Sequence, residues 1–180
     1  MQGKTQQQTT VPTQSNPINF EMAFVRLQRL SRDLSQLGAN GTMTYSGQPG
    51  WATVQLKCAA GASLQVFALA SSALTGTTSI QFTNCPSGST IVVNVSGASA
   101  QIGNAGINGI PSFNRAIWNF YQATSLATSS VFFYGSILAP YADTAFTWGA
   151  MNGTLAAWST ESSAEFHFIP FHDNVIMPGI

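Results

Sequence analysis

The sequence predicts a mainly β chain, a β-solenoid of about six coils with one long α-helix packed alongside, and three observations carry that expectation. From Thr42 onward the chain reads as short apolar runs broken by Asn-Gly, Ser-Gly and Pro, which is the punctuation of strands. A single segment, between Asn19 and Gly38, carries a helical stripe instead. The two parts also match in length. About eighteen helical residues span ~27 Å, and five or six parallel strands stacked ~4.8 Å apart cover the same distance. The remaining ~140 residues, at roughly 18–24 per coil, make about six coils.

Taken in order, residues 1–17 are polar and Gln/Thr-rich, with Pro12 and Pro17. They read as a flexible arm or linker ahead of one domain over 18–180. Asn19 can cap the helix, and Gly38 can close it in a left-handed conformation. Between them Phe20, Phe24, Leu27, Leu30, Leu34 and Leu37 recur at steps of three and four, an apolar stripe that must lie along something greasy. Arg26, Arg29, Arg32 and Asp33 fall mostly on the other side. Strands follow at Val54-Gln55-Leu56, Leu64-Gln65-Val66-Phe67, Ser79-Ile80-Gln81-Phe82, Thr90-Ile91-Val92-Val93-Asn94-Val95 and Ala116-Ile117-Trp118-Asn119-Phe120. Asn-Gly pairs at 40–41, 108–109 and 152–153 mark turns.

Charge is scarce. Lys plus Arg and Asp plus Glu number six each, 7% of 180 residues, and balance to zero, where an ordinary soluble domain carries roughly 25%. Three of the six cations sit in the helix. The rest of the surface is Ser, Thr, Asn, Gln and Gly, with no basic footprint for nucleic acid and no polybasic patch for anionic lipid. No run of about 18 apolar residues is present to span a membrane. A neutral partner fits this surface: a polysaccharide, ice, a protein fibre or a second copy of the chain. Sequons at Asn40, Asn94 and Asn152, with Cys58 and Cys85 as the two cysteines, suit an extracellular setting.

Phrases spread along the chain resemble the choice-of-anchor A domain family, an ice-binding-like β-solenoid adhesive module. Ile18-Asn19-Phe20-Glu21-Met22-Ala23-Phe24 with Leu30-Ser31 and Leu34 is similar to its opening helix, and Asn40-Gly41-Thr42 to the turn after it. Leu64-Gln65-Val66-Phe67 stands where an early strand does. The segment from Pro86 through Thr90-Ile91-Val92-Val93-Asn94-Val95 to Gly97 is similar to a central one. Trp118-Asn119-Phe120-Tyr121, Gly135-Ser136-Ile137-Leu138-Ala139-Pro140, Asn152-Gly153-Thr154-Leu155-Ala156-Ala157, then Glu165, His167, Pro170 and Phe171 complete the set. The resemblance implies a helix laid along a β-solenoid, no catalysis, and adhesion to a matrix, collagen in some members and cellulose walls in others. Cys58, Cys85, Trp148 and Trp158 depart from the pattern, and a specific partner would be written there.

Catalytic chemistry is thin. Glu165, His167, His172 and Asp173 form the one cluster with acid–base or zinc-ligand character; its expected role is structural, with Glu165 and His167 serving the last coil, as the family motif implies, and His172-Asp173 in a solvated tail. No Gly-x-Ser-x-Gly elbow, phosphate-cradling loop or convincing carboxylate pair is present, so no enzyme, cofactor or metal is expected. Thr75, Thr77, Thr78, Thr124, Thr128, Thr144, Thr147 and Thr154 show no strict Thr-x-Thr ladder for an ice lattice. Aromatic residues are denser: most should fill the core, yet Trp is seldom fully buried. With a coil step of ~18–20 residues, Tyr121, Tyr141 and Trp158 fall on one column. An aromatic strip for the apolar faces of sugar rings is expected at Trp148 and Trp158, with Tyr121 and Tyr141 next. Cys58 and Cys85 are expected to bridge neighbouring coils, whose spacing suits a disulfide.

The function these readings predict is a non-catalytic extracellular adhesin of the cell surface or wall. It would bind an insoluble polysaccharide such as cellulose or another matrix polymer, with no nucleic acid and no membrane insertion. A self-assembling subunit of a wall, spore coat or virion surface, whose partner is itself, and a collagen- or protein-binding adhesin are the alternatives.

Overall fold

The computed structural model describes residues 18–173; the arm expected over residues 1–17 lies outside them, as do residues 174–180. The helix, α1 (Phe20–Ser35), starts at its expected cap: the Asn19 side chain accepts from Met22 N at 2.9 Å. Among the described residues twelve strands follow: β1 (Thr42–Ser46), β2 (Ala52–Lys57), β3 (Leu64–Ala70), β4 (Thr77–Thr83), β5 (Thr90–Ser96), β6 (Ser99–Gly103), β7 (Gly106–Asn108), β8 (Ala116–Asn119), β9 (Ser125–Tyr134), β10 (Ser136–Gly153), β11 (Leu155–Ser162) and β12 (Glu165–Phe168). They make two sheets. One is four-stranded and mixed, in the order β1-β2-β4-β7, with β1 antiparallel to β2. The other is parallel, in the order β3-β5-β8-β10-β9-β6, with β11 and β12 also paired to β10, and it curls into a half-barrel.

The predicted β-solenoid of about six coils is therefore corrected. Such a stack would add each turn of chain to the sheets in sequence order. Here the parallel sheet runs out through β3, β5 and β8, reaches β10, and returns through β9 and β6, which precede β10 in the chain. The cause is β10 itself, 18 residues of strand. Ser136–Leu138 pair with β8, whereas Asp143–Asn152 pair with β9, so one strand serves both limbs and bends between them. The antiparallel β1–β2 hairpin is a second departure. Residue counts per coil were blind to both.

The main core lies between the sheets. Strand alternation builds it: Val54 and Leu56 of β2, Ile80 and Phe82 of β4, and Ile91, Val93 and Val95 of β5 all point into one cluster. A run of rings, Phe67, Phe82, Trp118, Phe133 and Phe146, meets edge to face with centroids 5.3–6.3 Å apart, a geometry worth ~0.5–1.5 kcal/mol per pair beyond burial. Trp118 is wholly buried, and its Nε1 donates to Tyr134 O. Because β2 and β4 run parallel with Lys57 opposite Thr83, the residues that follow meet. Cys58 and Cys85 are joined in a disulfide with Cα atoms 4.9 Å apart.

The outer face of the half-barrel carries α1. Val66, Val92, Ile117, Leu138 and Ala156, one from each of five neighbouring strands, face Leu27, Leu30, Leu34 and Leu37. This explains why Thr90–Val95 of β5 are buried without alternation, the strand being covered on both sides. Two asparagines interrupt the apolar contact. Asn119 Nδ2 donates to Ser31 O and to Asn94 Oδ1, Ser31 Oγ donates to Asn119 Oδ1, and Asn94 Nδ2 donates to Leu34 O. Each bond needs one axial position of the helix, so the network sets where α1 stops sliding. It also occupies the Asn94 sequon, whose amide is buried and hydrogen-bonded through both its nitrogen and its oxygen.

Candidate functional site

Three of the four residues expected in the aromatic strip occupy one bend of the parallel sheet. Asn119, Leu138 and Ala156 stand in register before the bend, and Ser125, Asp143 and Ser159 stand in register after it. Between those two rows the chain turns with five residues after β8, fewer within β10 and fewer still within β11, and these carry Tyr121, Tyr141 and Trp158. Adjacent strands lie ~4.8 Å apart, so the three side chains belong to neighbouring rungs. Tyr121 is half-buried, Tyr141 is 38% exposed and Trp158 is 64% exposed. The row after the bend is polar: Ser159 Oγ donates to Asp143 Oδ1, and Thr144 Oγ1 donates to Ser159 O. The bend thus sets aromatic rings beside hydroxyls and a carboxylate.

Trp148 sits elsewhere. It lies between the pairs Thr147–Ser129 and Gly149–Val131, at the next bend of β10, beyond the segment Asp143–Thr147. Its backbone is left-handed, with φ 56°, as is that of Ser130 with φ 55°. For a bulky residue this conformation costs ~1–2 kcal/mol. The neighbouring Gly149 has φ 97°, and a Cβ there would strike Val131 O; only glycine fits. Trp148 N donates to Ser163 Oγ, and the indole stands 70% exposed. The strained backbone thus holds an aromatic ring in solvent.

The remaining candidates separate. His167 Nε2 lies 3.4 Å from Glu165, with Nδ1 2.9 Å from Asn152 Oδ1, all on or beside the β12–β10 pair. His172 and Asp173 are held at the start of β8 instead, His172 N donating to Asn114 O and Asp173 pairing with Arg115 at 3.3 Å. The solvated tail expected there is replaced by a pinned one with a buried carboxylate. Among the described residues no group of three or more His, Cys, Asp or Glu is placed to hold a metal ion, and no helix is long and apolar enough to cross a membrane.

Sequence reasoning missed several exposed aromatics. Trp51, in the β1–β2 turn, is 85% exposed, and Phe132 and Phe168 also face solvent. It missed an open groove of about 420 Å³ as well, lined by Phe20, Glu21, Phe24, Val25, Gln28 and Trp158. Trp158 meets Phe24 edge-on there, with centroids 5.8 Å apart. The available signal was Val25, an apolar residue off the main stripe.

A family model described as "Putative Ice-binding-like adhesive domain" matches residues 1–168. Comparison with curated proteins and with solved structures finds no match.

Proposed function

The chain belongs to the family of ice-binding-like adhesive domains, and from that premise we propose that it is a non-catalytic module that holds a neutral, insoluble polysaccharide such as cellulose outside the cell. The observation that carries this reading is the bend bearing Tyr121, Tyr141 and Trp158, set on three paired strands and bordered by Asp143 and Ser159. Rings on a rigid frame stack on the apolar faces of sugars with little loss of conformational freedom, since Tyr and Trp have two side-chain torsions to fix. Trp148 is a second stacking position at the next bend. The near absence of charge supports a neutral ligand over nucleic acid, and the lack of a Thr-x-Thr ladder speaks against ice.

Retention on microcrystalline cellulose, chitin and collagen, measured at low and at ~1 M salt, tests the reading. Stacking is a contact effect, so retention on cellulose should persist when charges are screened beyond ~3 Å. Release by salt, or retention on collagen alone, would overturn it.

A further inference from the structure

The parallel sheet ends differently on its two sides. At β3 the first half of the edge is occupied by Asn40: its N and that of Gly41 donate to Val66 O, its Nδ2 donates to Leu64 O, and its Oδ1 accepts from Val66 N. At the other side, among the described residues, β11 pairs with β10 alone. Ile137 N donates to Thr154 O, and in a parallel ladder that bond sets the alternation, so Leu155 and Ala157 turn their N–H and C=O groups away from β10. Over Leu155–Thr160 β11 carries no Pro and no charged residue, the features that commonly blunt an open edge; its single charge, Glu161, lies near its end.

The helix overshoots the same side. Its 16 residues span ~24 Å, while the five strands beneath it, β3 to β11, span ~19 Å at ~4.8 Å spacing. The excess is about one strand spacing. It falls at the first turns of α1, where Phe20 and Val25 are exposed and Trp158 is the one sheet residue lining the groove. Among the described residues no strand lies beneath these turns.

We infer that this end of the molecule is a self-interface. A second copy lays its β11 against this β11 about a twofold axis, and each helix covers the strand that the partner brings. Among the described residues, the end offers both halves of such a contact, a strand edge without a neighbour and a helix end without a strand beneath it. A twofold contact supplies each half from the other copy. The chain's net charge of zero sets no long-range repulsion between copies. A twofold contact uses the β11 edge of both copies, so assembly through it stops at two. The contact covers Trp158, a ring that the polysaccharide reading also uses, so the two compete for that side chain and the test is made in the absence of any glycan.

Sedimentation of the intact chain from about 1 µM to about 1 mM tests it. The mass should rise from the 19.0 kDa of one chain to twice that and no further. Val25→Lys places an ammonium group in the groove from an exposed helix position, and Ala157→Pro removes an outward N–H without touching the bond from Ile137 N to Thr154 O. Each should weaken dimerisation about tenfold or more, with the circular dichroism spectrum of Val25→Lys unchanged; if Ala157→Pro fails to fold, Val25→Lys alone decides. A wild-type mass of one copy at every concentration would overturn the inference, as when the chain's own terminal residues or another protein fill the groove. Growth past two copies would also overturn it, and so would undiminished dimerisation of folded Val25→Lys.

Discussion

At the scale of single residues, the tryptophans and the asparagines act for different reasons. Trp148 and Trp158 are large apolar side chains left in solvent, one on a left-handed backbone and one on the outermost strand. Removing both should abolish retention on cellulose while the unfolding transition stays intact. A folded Trp148→Ala/Trp158→Ala protein that binds like wild type would remove these rings from the site. Asn94 and Asn119 are the reverse case, polar groups inside an apolar interface. Asn119→Ala would strand Ser31 and the Asn94 carboxamide oxygen, at about 1–3 kcal/mol for each buried group left unpaired. Chemical denaturation should show that loss with little change in slope. An unchanged midpoint would mean that water or a shifted helix replaces the network.

At the scale of elements, α1 is two half-helices in energetic terms. Its C-terminal half buries Leu34 against Val66, Val92, Ile117 and Leu138, so Leu34→Ala should cost about 2–4 kcal/mol through the cavity it leaves. Leu30→Asp should cost several kcal/mol by forcing a carboxylate into the same contact. Phe20, 55% exposed at the other end, should tolerate Ala within about 0.5 kcal/mol at dilutions where the chain is a single copy. Thermal unfolding of the three variants checks the division; equal losses for Phe20 and Leu34 would mean that the first turn is covered in solution. The helix was legible in the sequence because its signals are local, a cap at Asn19 and leucines at helical spacing. Its overhang was not, because the stripe continues to Phe20 with the same chemistry whether or not a strand lies beneath.

For the whole molecule, the disulfide between Cys58 and Cys85 ties the ends of β2 and β4 across a sequence separation of 27. Closing a loop of that length in the unfolded chain is worth ~3–4 kcal/mol in the loop-entropy account. Cys58→Ser/Cys85→Ser should therefore unfold at a clearly lower denaturant concentration than the oxidised chain, and wild type under reducing conditions should move toward the variant. Coincident curves would show that the bridge constrains nothing that matters to stability.

The sequence by itself determined what depends on near neighbours: the helix with its cap, the strands at Val54–Leu56, Leu64–Phe67, Ser79–Phe82 and Thr90–Val95, and a surface almost without charge. The family resemblance was legible too, because its phrases keep order and spacing along the chain. Tertiary structure alone decided which aromatics stay outside. Trp118 and Trp158 are the same residue type on neighbouring limbs of one sheet, yet one has strands and rings on every side and the other stands on the last strand. It also decided that β10 bends to serve two limbs, which turned the expected coil stack into a half-barrel. Exposure and register arise from contacts between residues 15 to 27 positions apart, and periodicity within a strand holds no record of which rung comes next or whether one comes at all.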